Sequence, residues 1–297
     1  MFMPKPDWLK VRFQDNASLN ALKANAKTLE LATVCQEARC PNLFECWSQG
    51  TATFMLMGDT CTRGCRFCHV KSGNPQGWLD EDEPAKLART IQEAKWHYVV
   101  LTTVDRDDLS DGGASHLARC VQAVLEACPE IKIEVLAPDF QGNTEALNTL
   151  VQSGLHVLAH NVETVERLQR SVRDRRANYT QSLQVLADAK RLKPQLLTKT
   201  SLMLGLGETL EELERTMRDL RDIDVDAITF GQYLQPTPQH LAVTEWVHPD
   251  TFKELEIKAL HAFGFAYCAS GPLVRSSYKA GEYYLNALVN ERIANSV

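Results

Sequence analysis

Residues 53–68 read Thr53-Phe54-Met55-Leu56-Met57-Gly58-Asp59-Thr60-Cys61-Thr62-Arg63-Gly64-Cys65-Arg66-Phe67-Cys68. An apolar run of strand length, Thr53–Met57, meets a glycine, and after Asp59 and Thr60 a C-x3-C-x2-C spacing begins. Similar β-branched, apolar runs recur at His97–Thr102, Ile131–Leu136, Leu155–His160, Thr198–Leu204 and Ala227–Phe230. Between them lie helical patterns near Pro84–Lys95, Ala114–Ala127, Thr144–Gln152, Thr180–Leu192 and Thr209–Asp222. A helix at Pro249–Phe263 and a short apolar run at Phe265–Ala269 close the series. Strands alternating with helices of this length predict right-handed βαβ units on a parallel sheet. Thr209 with Glu212 forms a capping box, and Gly154 stands where a helix must stop. The expected fold is α/β, a partial (β/α)6 barrel, with an open doubly wound sheet as the other arrangement. Residues 1–50 form an extension ahead of the repeat, 51–270 the barrel and 271–297 a tail.

Composition frames what the cysteines can mean. The chain has 297 residues, 44% hydrophobic and 24% charged, which is the balance of a globular enzyme domain. A net charge of −6 gives no electrostatic reason to expect nucleic acid as a partner. The longest apolar runs are strand-length, so no membrane span is expected. Met1–Lys10 lacks the apolar core of a secretory signal.

Of nine cysteines, six fall in two triplets, Cys35, Cys40 and Cys46, then Cys61, Cys65 and Cys68. A disulfide framework belongs to short secreted chains rather than one of this length. Zinc sites close a tetrahedron with four ligands, and each triplet is one short, although His69 follows Cys68 directly. Three thiolates so spaced can bind three irons of a cubane iron–sulfur cluster and leave the fourth iron open. Cys120, Cys128 and Cys268 lie in helical or apolar stretches and read as small hydrophobes.

In such sheets sites gather at the carboxyl ends of strands, and the cysteine loop obeys that rule. After the second strand come Thr103, Asp105, Arg106, Asp107, Asp108, Asp111, Gly112 and Gly113. Asn161 and Glu163 follow the fourth strand, Gly205, Gly207 and Glu208 the fifth, and Gln232 and Tyr233 the sixth. Paired glycines allow backbone to approach a ligand, and clustered acids can grip an amine or ribose hydroxyls. Any one of these residues alone reads as ordinary loop polarity.

A C-x3-C-x2-C loop after the first strand of a partial barrel resembles the radical S-adenosylmethionine (SAM) enzymes. Cys35–Cys46 as C-x4-C-x5-C, the V-D-R-D-D-L-S-D-G-G-A segment from Val104, and R-S-S-Y at Arg275–Tyr278 narrow the resemblance to the lipoyl synthases. It runs from about Leu31 to Tyr278. The resemblance implies insertion of two sulfurs at C6 and C8 of an octanoyl chain on a carrier-protein lysine. Those carbons are unactivated, so no general base of achievable pKa removes their hydrogens, and radical abstraction supplied by a cofactor is the remaining route.

On the same resemblance Cys61, Cys65 and Cys68 hold a [4Fe-4S] cluster whose open iron chelates SAM, cleaved once per sulfur to a 5′-deoxyadenosyl radical. Cys35, Cys40 and Cys46 hold an auxiliary [4Fe-4S] cluster, the sulfur donor, with Ser277 (or Ser276) as fourth ligand. A hard alkoxide is the bond most easily lost as that cluster is dismantled. The extension and the C-terminal tail would then meet over the barrel's open mouth. Phe67, His69, Thr103, Asp105, Asp107, Asn161, Glu163 and Glu208 are the expected contacts to SAM. Implied partners are an octanoylated lipoyl carrier domain or glycine-cleavage H protein and an electron donor such as flavodoxin or ferredoxin, with no nucleic acid or membrane. Oxygen-sensitive clusters and the missing signal point to the cytoplasm.

Arg167, Arg170, Arg173, Arg175 and Arg176 make a basic stretch in an acidic chain. A charge run is usually a solvated face, but arginine suits bidentate contacts with carboxylates. Arg173 and Arg175 are therefore the expected docking residues for an acidic carrier. Three rivals stay open. A biotin-synthase-like enzyme would share only the second triplet. A methylthiotransferase would carry its extra cysteines in a separate leading domain. A non-catalytic metal-binding scaffold would close its sites and leave SAM uncleaved.

Overall fold

The structure is a computed structural model that describes residues 4–9, 51–94 and 96–277. These fall into two compact units, one containing residues 63–69 and 159–276, the other containing 70–158 and the stretch up to 62.

In the second of these, the strands are β1 (Thr51–Leu56), β2 (Thr60–Cys61), β3 (Lys71–Ser72), β4 (Tyr98–Thr103) and β5 (Lys132–Leu136). β1 pairs with β4 in parallel from Thr51↔Tyr98 to Leu56↔Thr103, and β4 with β5 from Tyr98↔Lys132 to Thr102↔Leu136. Tyr98–Thr102 are all buried, as expected of a parallel strand covered on both faces, which is why it reads as a continuous apolar run. Helices α1 (Glu83–Ala94), α2 (Ala114–Ala127) and α3 (Thr144–Val151) alternate with the strands. α2 buries Leu117, Cys120, Val121 and Val124, one stripe at helical spacing. Asn143 caps α3 by accepting from the N–H groups of Glu145 and Ala146 at 3.0 Å each, contributing about 1 kcal/mol. Gly154 sits at φ +103°, where a Cβ would lie 2.7 Å from Leu125 Cδ1, so the expected helix stop is sterically enforced.

β6 (Val157–Ala159) follows. The other unit then holds α4 (Gln169–Val172), α5 (Tyr179–Leu192), β7 (Leu197–Leu204), α6 (Leu210–Arg221), β8 (Ala227–Gln232), α7 (Pro249–Ile257) and β9 (Tyr267–Gly271). β7 and β8 pair in parallel from Lys199↔Ala227 to Leu204↔Gln232, and β8 and β9 from Ala227↔Tyr267 to Gly231↔Gly271. Leu202, Met217, Leu220, Phe230, Phe252 and Leu255 fill the core between sheet and helices. The capping box at α6 is present: Thr209 Oγ1 accepts from Glu212 N at 3.3 Å, and Glu212 Oε2 from Thr209 N at 2.9 Å.

Two expectations need correction. The helix starting at Pro249 changes to π geometry over Lys258–Ala262 instead of running regularly to Phe263, a one-residue expansion that apolar spacing does not reveal. The two-residue strands β2 and β3 are also unanticipated, because such short pieces carry no periodicity. They pair in parallel, Thr60↔Lys71 and Cys61↔Ser72, so the ends of the cysteine loop are stitched together. Cys35, Cys40 and Cys46, the extension apart from residues 4–9, and the tail after Ser277 lie outside the described residues.

Candidate metal centre

The cysteine loop hangs from the end of β1 through a turn in which Met57 has φ +64° and Gly58 φ +89°. A methionine in the left-handed region is uncommon and must be held there by its surroundings. Its N–H donates to both carboxylate oxygens of buried Glu83 at 3.1 and 3.0 Å. Its carbonyl accepts from Arg106 Nη1 at 3.3 Å. Arg106, 1% exposed, also donates to both oxygens of Asp108 at 2.8 Å and to Trp78 O at 2.8 Å. Asp108 in turn accepts from Gly77 N, and the arginine holds its carboxyl below the ordinary carboxylate range. Gly113, at φ +87°, leaves room for the methionine side chain, since a Cβ there would lie 2.2 Å from Met57 Sδ. Gly113 therefore serves packing rather than the ligand approach expected of it.

Glu83, His116 and Cys120 form a buried group whose ligand atoms lie within 4.8 Å of one another. It has the donor types of a metal site. However, His116 Nε2 already donates to Glu83 Oε2 at 2.6 Å, and Arg119 Nη2 lies 3.2 Å from His116 Nδ1. Carboxylate and imidazole are spent on each other and on Met57, so the group is a backing for the turn.

Cys61 ends β2, and its Sγ lies 3.9 Å from Asp105 Oδ2. Thr62 ties the loop to the segment after β4. Its N–H and Oγ1 each donate to Asp105 O at 2.9 Å, and Oγ1 lies 3.1 Å from Asp107 Oδ2. Asp107 returns its own N–H to Thr62 Oγ1 at 3.0 Å. Asp105 thus borders Cys61 and Asp107 its neighbour Thr62, whereas Thr103 turns its hydroxyl to Val104 O at 2.9 Å.

Cys65 and Cys68 lie in the unit containing residues 159–276. Asp174 N donates to Cys65 Sγ at 3.3 Å, and Gly64 N donates to Asp174 Oδ2 at 2.9 Å. Arg66 adds bonds from its N–H to Val172 O and from Nη1 to Ser171 O, both 3.0 Å. Burial pushes the Cys65 thiol up to about 12, opposed by the Asp174 N–H and the charge of Arg173. A thiol so placed gives up its proton when a metal takes it. Cys68 O is 2.9 Å from His240 Nε2, and the His240 ring stands edge-on to His69 at 5.6 Å. Phe67 packs against the core of the unit.

Asn161 Oδ1 is buried with no hydrogen-bond partner among the described residues. An orphaned buried acceptor costs about 1–3 kcal/mol unless a ligand meets it, so Asn161 fits a polar cofactor, as the thiols by their chemistry fit an iron–sulfur cluster. Glu163 is half-buried at φ +70°, and desolvation raises its carboxyl pKa against the charge of Arg173. The Glu208 carboxylate accepts from Gly205 N at 2.5 Å and Leu206 N at 2.9 Å, so it braces its own loop.

Arg173 requires a larger correction. It is 8% exposed and donates inward to Ser182 Oγ at 2.8 Å, Gln169 Oε1 at 3.1 Å and Val162 O at 3.4 Å. A side chain so enclosed cannot dock a partner. Arg175 is exposed, as are Arg170 and Arg176. Ser277 sits half-buried in a turn at the end of the described residues. Asp174, His240 and Glu83 were missed because no motif links them to the cysteines, and Thr62 because the C-x3-C spacing leaves its position unspecified.

The radical SAM superfamily pattern matches residues 55–220. The chain is 55% identical over 284 residues to the lipoyl synthase of Ectopseudomonas mendocina (strain ymp), covering 96% of this chain and 81% of that one. The chain belongs to the lipoyl synthase family. It is also 54% identical over 297 residues to the mitochondrial lipoyl synthase of Xenopus laevis, across 98% of this chain and 80% of the relative. Among solved structures, methylornithine synthase superposes with a TM-score of 0.57 at 13% identity, over 97% of this chain and 90% of that one. At that identity the likeness shows the fold alone, the α/β partial-barrel class expected from the strand–helix alternation. The chain is thus a radical SAM enzyme that uses a [4Fe-4S] cluster and SAM. Among the described residues no helix is long and apolar enough to cross a membrane.

Proposed function

We propose that the chain converts an octanoyl group on a carrier-protein lysine into the lipoyl group, replacing one C–H at C6 and one at C8 by C–S. The observation that carries this reading is the 55% identity to a lipoyl synthase along 96% of a chain that bears both cysteine triplets. Cys61, Cys65 and Cys68 would hold the cluster that binds SAM. When bound, that pair supplies a 5′-deoxyadenosyl radical able to take a hydrogen atom from an unactivated carbon. Cys35, Cys40 and Cys46, with Ser277, would hold a second cluster that furnishes the sulfur.

The chain's own residues prepare this chemistry by positioning. Thr62 and Asp107 fix the Cys61 side of the loop, and Asp174 and Val172 fix Gly64–Arg66. Asn161 offers a buried acceptor for a donor on SAM, and Glu163 stands two residues on. Phe67, His69, Thr103 and Asp105 remain proposed neighbours of the cofactor, and residues 1–50 and 271–297 the proposed frame of the second cluster. Exposed Arg175, with Arg170 and Arg176, would meet the acidic face of a lipoyl carrier domain or H protein, and a flavodoxin or ferredoxin would deliver electrons. Oxygen-sensitive clusters suit the cytoplasm.

The test is anaerobic incubation of reduced protein with SAM and an octanoyl-lysyl peptide. The reading requires a product that has gained two sulfurs for two hydrogens, with two 5′-deoxyadenosine formed per lipoyl group. Cys35→Ala should still cleave SAM but insert no sulfur. SAM cleavage with no sulfur in the peptide from wild-type protein would reject it.

A further inference from the structure

His240 belongs to none of the sequence motifs described above, yet its imidazole reaches the main chain of the cysteine loop. Both lie in the unit containing residues 63–69 and 159–276. His240 Nε2 is 2.9 Å from Cys68 O, and Leu241 N donates to Arg66 O at 3.2 Å. A carbonyl oxygen can only accept, so Nε2 carries the hydrogen of this bond. Thr237 Oγ1 braces the ring from its other side, 2.8 Å from Nδ1. The backbone of the pair is itself held. Gln235 Nε2 donates to His240 O at 2.9 Å, and Tyr233 Oη donates to Leu241 O at 2.8 Å. The His240 ring also stands edge-on to His69, with ring centres 5.6 Å apart.

We infer that His240 is a positioning residue that fixes the Cys68–His69 peptide for the binding of SAM. Once a cluster is loaded, iron holds the Cys68 sulfur, but the peptide that follows depends on protein contacts. Its carbonyl meets the His240 Nε2–H, and the next side chain, His69, meets the edge of the same ring. His69 is itself a proposed neighbour of the cofactor. Groups that orient metal ligands from behind typically carry about 10–100-fold of affinity or activity. His240 acts in that way on the cofactor side of Cys68, through the carbonyl and not through the sulfur.

The role assigned to His240 rests on the reading of Cys61, Cys65 and Cys68 as holders of a SAM-binding cluster, but not on the carrier substrate. The experiment is equilibrium dialysis of labelled SAM against the full chain, purified without oxygen. The clusters are left oxidised, so that SAM binds without being cleaved. Iron per chain and melting temperature are measured on the same samples. His240→Phe keeps a ring beside His69 but donates nothing to Cys68 O. His240→Gln places an N–H as many bonds from Cα as the imidazole Nε2, and so keeps the donor without the ring. Phenylalanine should weaken SAM binding about ten-fold or more at unchanged iron content, and glutamine should stay within about three-fold of wild type.

Wild-type SAM affinity in His240→Phe would overturn this role. Equal weakening in His240→Phe and His240→Gln would overturn it too, by showing that the hydrogen bond to Cys68 O is not what matters. So would iron lost in step with SAM binding, because the residue would then be holding the cluster and not the cofactor. If His240→Phe fails to fold, Thr237→Val takes its place, since it removes the brace at Nδ1 and keeps the side-chain shape. SAM binding should then weaken about three-fold or more, and unchanged affinity would overturn the role. Failure of the wild-type protein to load iron or to bind SAM would instead reject the cofactor reading itself.

Discussion

Replacing Glu83 by leucine tests whether the turn before the cysteine loop is held by buried charge. The carboxylate accepts the Met57 N–H through both oxygens and the His116 Nε2–H at 2.6 Å. Leucine fills similar volume but orphans two buried donors, each worth about 1–3 kcal/mol, so the loss should be about 2–5 kcal/mol. Glutamine keeps one carbonyl oxygen for Met57 and should lose only about 1–2 kcal/mol. Each kcal/mol lowers the melting temperature by about 2–4 °C in a protein of this size, so leucine should melt about 4–20 °C below wild type. Circular dichroism melts of anaerobically purified protein read the difference. A leucine variant within about 1 °C of wild type would refute the reasoning, as would a glutamine variant as damaged as leucine.

Gly113→Ala should destabilise by about 2–4 kcal/mol, combining a left-handed conformation with forced displacement of Met57, and denaturant midpoints measure it. The carboxyl of Asp174 is held below its ordinary pKa by the Arg176 guanidinium and by the Gly64 and Arg176 amides, and that of Asp108 mainly by Arg106. A depressed folded-state pKa contributes stability that is complete above the unfolded value near 3.9 and lost as pH falls below it. Melting temperature should therefore drop below about pH 4, and Asp174→Asn should flatten part of that drop. Arg175→Ala should weaken turnover on a carrier domain while sparing an octanoyl-lysyl peptide, and equal loss on both substrates would remove the docking role.

Much of the fold was legible because buried parallel strands write themselves as apolar runs. Val99, Val100 and Leu101 need no partner to be recognised as one. The capping box at Thr209 and the stop at Gly154 were readable for the same reason, since both act within a few residues. The cysteine loop was readable through its spacing, but what grips it was not. Asp174 lies 109 positions from Cys65, and His240 lies 172 from Cys68, so only the folded chain brings them together. Arg173 misled because a charge run shows charge and not burial. An arginine among exposed neighbours looks like them until Ser182 and Gln169 enclose it. Gly113 misled similarly, because its missing side chain makes room for Met57, 56 residues away in the chain.

The most direct measurement is iron and acid-labile sulfide per chain on protein purified without oxygen, alongside a Cys35→Ala/Cys40→Ala/Cys46→Ala variant. Two four-iron clusters require about eight of each in wild type and about four in the variant, with the variant still cleaving SAM. About four in both proteins, or zinc without sulfide, would contradict the assignment of the two triplets.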